Sequence, residues 1–196
     1  MAYRTRTYLA GDWDHDKSAI DILYQWKNNK RLNFDFLDAH ELRNARDTSL
    51  TCSIKRSLKE RLDLSKNFVL IVGNHTNDLT RGSCANCSSY NSWSKTCARA
   101  HSISYESFIE YECTQAIKAG MRIVVLYNSS SVDRSKCPES LRNKGHHIPM
   151  RKYNLYTGMY ELDYLGINLP LISISTNYYS PPSDLDKINN PQALLV

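Results

Sequence analysis

No run of about 18 apolar residues, the length that spans a bilayer, occurs in the 196-residue sequence. The opening stretch MAYRTRTYLAGDW also lacks an apolar core of the size a secretory signal carries. Both absences predict a cytoplasmic chain with no membrane partner. Neither GxGxxG nor a P-loop occurs, so the two usual glycine-rich phosphate cradles are missing, and there is no internal repeat. Blocks of one charge are missing too. Lys and Arg total 25 against 20 Asp and Glu, a net charge of +5. Lys55, Arg56, Lys59 and Arg61 are interleaved with Glu60 and Asp63, which reads as a solvated helix face rather than a phosphate-tracking groove. Nucleic-acid binding is therefore the lesser reading.

What is present is an ordinary globular composition, 41% hydrophobic and 23% charged, in a chain long enough to bury a core. The segment TRTYLAG reads as a strand from Thr5 to Ala10, with Tyr8 and Leu9 at its apolar end. It is followed by a helix that carries Ala19, Ile22, Leu23 and Trp26 at helical spacing, with Asp16 or Ser18 as its cap. A short alternating strand, Asn33 to Asp38, precedes a second helix striped by Leu50, Ile54, Leu58 and Leu62. The run from Asn67 to Gly73 is apolar throughout, as in a strand covered on both faces. A third helix and a strand from Arg122 to Tyr127 follow.

Strands alternating with helices predict an α/β fold with a doubly wound, mostly parallel sheet. Ligands bind such sheets beyond the carboxyl ends of the strands. Here those ends are polar: GDWDHD, DAHELRNARDTS, GNHTND and NSSS. Residues 1–150 are read as the domain, with a Cys-rich insertion at 80–104. Residues 151–196 are read as an extension packed on it, with only Leu171 to Ser175 strand-like and a frayed end after Pro181.

The third helix raises a question of its own. At about 100° per residue, Ile109, Cys113, Ala116, Ile117 and Gly120 share one face, with Glu112 on one flank and Glu110 on the other. Each glutamate either reaches water or a basic neighbour, or serves chemistry, and periodicity does not choose between these readings.

The segments TYLAGDWDHD, FLDAHELRNARDTS, NFVLIVGNHTNDL and FIEYECTQAIKAGMRIVVLYN resemble, in that order, the TIR-like family that includes the TIR protein of bacterial Thoeris antiphage systems. The most specific element is the helix Phe108-x-x-Tyr111-Glu112 running into a hydrophobic strand, with Tyr105 and Glu106 as a second Tyr-Glu pair further from it. The sequence departs from many relatives at Ala10-Gly11, where they carry a Ser-aromatic pair. The resemblance implies a flavodoxin-like fold and an enzyme of the NAD glycohydrolase or ADP-ribosyl cyclase type. In that reading Glu112 is catalytic in cleaving NAD, while Asp12, Trp13, Asp14, Asp38 and Tyr111 bind the substrate. NAD is then substrate and no cofactor is required. The implied role is a nucleotide signal in antiphage defence that reaches a downstream effector, with self-association of the chain as a further expected partner. A non-catalytic TIR-like assembly module is the alternative, and a flavodoxin-like binder of another nucleotide is a third reading.

Trp13 suits either stacking on a ring or packing beside the strand end. Asp12, Asp14 and Asp16 precede a helix, which favours capping over a cation site. Cys84, Cys87, Cys97 and His101, spaced C-x2-C-x9-C-x3-H, suit a tetrahedral structural zinc that staples the insertion; reduced cysteines in a loop are the alternative. Cys52, Cys113 and Cys137 read as buried or incidental; His146 and His147, beside Gly145, form a pair able to bind metal, with a polar turn after a short PESLRN helix as the simpler account.

Overall fold

The computed structural model describes residues 6–28, 36–38 and 50–163. In chain order the elements are β1 (Arg6–Ala10), α1 (Lys17–Asn28), β2 (Phe36–Asp38), α2 (Thr51–Asp63) and β3 (Ser65–Val72). A small hairpin, β4 (Tyr90–Asn91) and β5 (Thr96–Cys97), precedes α3 (Phe108–Lys118) and β6 (Arg122–Tyr127). The described part closes with β7 (His146–Pro149), β8 (Arg151–Asn154) and β9 (Met159–Leu162).

The main sheet has the order β2-β1-β3-β6-β7, and every neighbouring pair is parallel. Counted along the sheet this is the 2-1-3-4-5 order of the flavodoxin-like doubly wound fold. Right-handed crossovers in that order put α1 on one face and α2 and α3 on the other. Packing follows the two-residue period of a pleated strand. Leu9, Val69, Ile71, Val124 and Leu126 meet Ala19, Ile20, Leu23 and Trp26 of α1. Tyr8, Phe68, Leu70, Val125 and Tyr127 meet Leu62 of α2 and Ile109, Cys113 and Ala116 of α3. At about 1.5–3 kcal/mol per buried large apolar side chain, these two layers dominate the stabilisation.

Several expectations change at this point. The strand expected to start at Asn33 is described only over Phe36–Asp38, and residues 33–35 lie outside the described residues, as do 39–49 and the expected strand at Leu171 to Ser175. His146 and His147 belong not to a turn but to β7, a parallel edge strand held to β6 through Val124↔His146 and Val125↔His147. The short helix before it is a single 3-10 turn, Glu139–Leu141. Strand-like structure beyond residue 150 also includes the antiparallel pair β8 and β9, closed where Gly158 N–H donates to the Asn154 carbonyl at 2.9 Å. Lys55 is not on a solvated face. It is buried, because its Nζ reaches the Ser104 hydroxyl at 3.0 Å and the Glu106 carbonyl at 2.7 Å.

The insertion leaves and returns at one place. Phe108 N–H donates to the Arg81 carbonyl, and Cys84 N–H to the Ser104 carbonyl, at 2.8 and 2.9 Å. Gly82 makes this possible. It has φ +104°, and a Cβ there would lie 2.5 Å from the Phe108 nitrogen. Among the described residues, no helix is long and apolar enough to cross a membrane.

Candidate active site

α3 begins at a capping box: Ser107 Oγ accepts from Glu110 N–H, and Glu110 Oε2 accepts from Ser107 N–H. Glu110 is thus occupied with starting the helix. Glu112, half a turn further on, points the other way, into the sheet. It is only 3% exposed, and its Oε1 accepts the hydroxyl of Tyr8 at 2.5 Å. Tyr8 lies in β1, fully buried, with its ring stacked on Phe68 at a centroid distance of 5.8 Å. The two flanking glutamates of the helical stripe therefore have separate fates: one caps, the other is a buried carboxylate at the first turns of a helix, bonded to the strand beside the switch point.

Tyr111 precedes Glu112 by about 100° and faces α2 instead. Lys55 Nζ stands 5.3 Å from its ring centroid, a cation–π geometry, and burial pushes its hydroxyl pKa up. Desolvation in turn lowers Lys55, against the opposing pull of Cys84, Glu106 and Glu110. This side of α3 is clamped to α2 and to the end of the insertion.

A second cluster gathers beyond the carboxyl ends of β1, β3 and β6. Asp12 is buried; Oδ1 accepts from Asp14 N–H at 3.1 Å and Oδ2 lies 2.6 Å from His15 Nδ1. The His15 ring packs on that of His75, which follows β3, at 4.4 Å. Asp16 directly precedes α1, and its backbone carbonyl accepts from Ala19 and Ile20. Its side chain does something else. Oδ1 accepts from Asn128 Nδ2 at 2.9 Å, Oδ2 is buried with no hydrogen-bond partner among the described residues, and both lie over Gly73. Burial pushes the Asp16 carboxyl up, partly offset by the Asn128 bond.

The structure separates the remaining expected residues. Trp13 is half-buried and packs edge-on against Tyr24, with centroids 5.9 Å apart and planes at 66°, so packing prevails over an open stacking surface. Asp14 is exposed, 3.6 Å from Arg81 Nη1, a surface pair of little energetic consequence. Asp38 ends β2 in register with Leu9, at the same end of the sheet as Asp12. Cys84, Cys87, Cys97 and His101 are all described, yet among the described residues no group of three or more His, Cys, Asp or Glu is placed to hold a metal ion. The four do not meet as a tetrahedral set. Instead Cys84 Sγ accepts from Ser104 N–H at 3.4 Å, and Cys97 pairs with Tyr90 across the β4–β5 hairpin.

Sequence reasoning named Asp12 and Glu112 but passed over Tyr8, His15, His75 and Asn128. The last three sit in the polar stretches that follow the strands, so their place at the sheet's carboxyl end was readable, while their mutual contacts were not. Tyr8 carried a fainter signal, a phenol in a strand buried on both faces, where a hydroxyl needs a partner.

No curated protein matches the chain. Residues 7–81 match the family model described as Thoeris protein ThsB, TIR-like domain; the match runs from β1 to the start of the Cys-rich insertion and stops short of α3. With the parallel 2-1-3-4-5 sheet behind that match, residues 7–81 resemble the TIR-like domain of the Thoeris protein ThsB.

Proposed function

We propose that this chain is a TIR-type enzyme that cleaves NAD at the nicotinamide–ribose bond and makes an ADP-ribose-derived signal, linear or cyclic, in antiphage defence. The observation that carries the reading is Glu112, a carboxylate buried at the start of α3 and bonded to β1. Doubly wound sheets bind nucleotides in the crevice at the carboxyl ends of the strands flanking the switch point, here β1 and β3. Asp12, just after β1, and Asp38, the last residue of β2, stand at that end of the sheet.

The chemistry fits one carboxylate. As the glycosidic C–N bond breaks, its electron pair neutralises the pyridinium ring, nicotinamide leaves uncharged, and positive charge develops on the ribose. A fixed carboxylate stabilises that charge most when it is held in place before the reaction, away from water. Water as acceptor gives ADP-ribose, nicotinamide and a proton. An atom of the same molecule as acceptor gives a cyclic product.

Glu112→Gln keeps the volume and removes the charge, so turnover falls by about 100-fold or more with the fold intact. The test is nucleotide mass spectrometry on phage-challenged cells expressing either form. Loss of NAD, or a new ADP-ribose-containing species, with the wild type alone supports the enzyme. Matching profiles under a challenge in which both forms protect reject it in favour of an assembly module. That second reading has its own support: Tyr153, Leu155, Tyr156, Met159 and Tyr160 leave a cluster of large apolar side chains exposed on the β8–β9 hairpin.

A further inference from the structure

A phenylalanine at position 8 would fill the same space against Phe68 and the face of α3. The hydroxyl is therefore surplus to packing, and a buried hydroxyl is a cost unless it meets an acceptor. Across the layer, Glu112 presents the complementary difficulty. A carboxylate at 3% exposure has lost most of its hydration, which favours the uncharged acid, and an acid cannot oppose a cation. The bond from Tyr8 Oη to Glu112 Oε1 resolves both at once. Donation to the charged form favours that form, and a charge-assisted bond of this kind is roughly twice as strong as a neutral one.

The bond also fixes geometry. Glu112 rides on a helix, whereas Tyr8 sits in an inner strand of the sheet, paired to β2 and to β3 on either side. Tying one carboxylate oxygen to that strand sets where the charge stands relative to the crevice at the strand's end. Building the same tie requires residues 104 positions apart, which only the finished fold brings together.

We propose that Tyr8 is a positioning residue that holds the Glu112 carboxylate charged and oriented for NAD cleavage, an inference that rests on the reading of Glu112 as the catalytic group. Tyr8 acts through Glu112 and does not touch the substrate. Among the described residues, the charged groups of α2 and α3 have roles of their own. Lys55 of α2 spends its bonds on Ser104 and Glu106, and its charge interacts with Glu106 and Glu110. Glu110 is held in the capping box. Cys113, the neighbour on α3, is kept a thiol by burial and then by the Glu112 charge itself.

The experiment compares the full-length wild type, Tyr8→Phe and Glu112→Gln by nicotinamide release from NAD between pH 5 and 9, with a carbon-13 carboxyl NMR titration of Glu112 in parallel. Tyr8→Phe is expected to lower kcat about tenfold at pH 6 and much less at pH 8, with KM nearly unchanged, and to move the Glu112 carboxyl titration to higher pH. A pH profile parallel to the wild type's, with an unmoved carboxyl titration, overturns the role of Tyr8 while an inactive Glu112→Gln keeps the enzyme reading. Wild-type turnover by Glu112→Gln overturns the reading of Glu112 as the catalytic group, and the role of Tyr8 with it, whereas no turnover by any form, with a fold intact, overturns the enzyme reading. Should Tyr8→Phe fail to fold, Tyr8→Phe/Glu112→Gln removes the stranded charge: recovery of the fold supports the pairing, and continued failure overturns it.

Discussion

At the scale of single residues, Gly73 and Asp16 are the most tightly matched pair at the candidate crevice. A Cβ on Gly73 would lie 2.1 Å from Asp16 Oδ1 and 2.3 Å from Oδ2, so the carboxylate occupies the space a side chain would need. Gly73 N–H is already committed to Thr76 Oγ1 at 2.9 Å, which prevents the backbone from swinging aside. Gly73→Ala should therefore cost about 1–3 kcal/mol, the usual range for overpacking, read as a lower midpoint in urea unfolding. Asp16→Ala makes room, so the double variant should recover most of the loss. Simple additivity of the two changes would show that the clash is not the cause. None of this was readable beforehand. Asp16 has the sequence signature of an N-cap, and it does sit at that position, but the partner that diverts its side chain, Asn128, is 112 residues away. Glu112 was reached because a resemblance pointed to it; its burial against Tyr8 could not follow from helical periodicity, which placed it only on a flank.

At the scale of elements, β7 shows how an edge strand is secured when it is too short to hold itself. Tyr127 at the end of β6 reaches His147 Nδ1 at 2.8 Å, while His147 Nε2 faces the carbonyls of Leu141 and Lys144 at 3.2 and 3.1 Å. Two carbonyls demand a donor at Nε2, so in the neutral ring Nδ1 accepts from Tyr127. Burial lowers the His147 pKa from 6.5, with Arg134 adding to the effect and the backbone bonds opposing it. Burial also pushes Tyr127 up, with Cys137 contributing, and pushes Cys137 up in turn. Because His147 titrates lower in the folded chain, the unfolded chain binds more protons just below pH 6.5. Stability present above that pH is lost as pH falls through the window. Unfolding by urea at pH 7.5 and 5.5 should show this drop, and His147→Ala should flatten it; an unchanged slope in the variant would place the proton uptake elsewhere. The same element marks the boundary of what sequence pattern reveals. α1, α2, α3, β1, β3 and β6 carry enough periodic residues to be read directly. HHIP offers four residues with no alternation, and RKYN and MYEL are polar enough to pass as loop until they pair with each other.

At the scale of the whole molecule, the Cys-rich insertion and the sheet are separable. The insertion enters and leaves through adjacent bonds at Arg81, Cys84, Ser104 and Phe108, and Trp93 at its far end is 97% exposed. None of its residues from Cys84 to His101 is fully buried, whereas Ser104 and Glu106, on its return path, anchor Lys55 of α2. The division of labour is thus within the loop: its stem belongs to the core, its body does not. Replacing residues 85–103 with Asn-Gly joins Cys84 to Ser104 through a two-residue turn where Cys84 N–H already donates to the Ser104 carbonyl. Shortening the closed loop lowers its entropic cost by about 2 kcal/mol, which offsets the few contacts removed. The shortened chain should unfold in one cooperative transition within about 5 °C of the intact chain, as followed by circular dichroism. Loss of cooperativity would mean that the body of the insertion completes the core. Extending the cut through Ser104 and Glu106 should behave differently, because it removes the hydroxyl and the carbonyl that accept from the buried Lys55 ammonium and frees the start of α3, the element that carries Glu112. A large loss of stability in the longer deletion alone would place the structural role of the insertion in its stem.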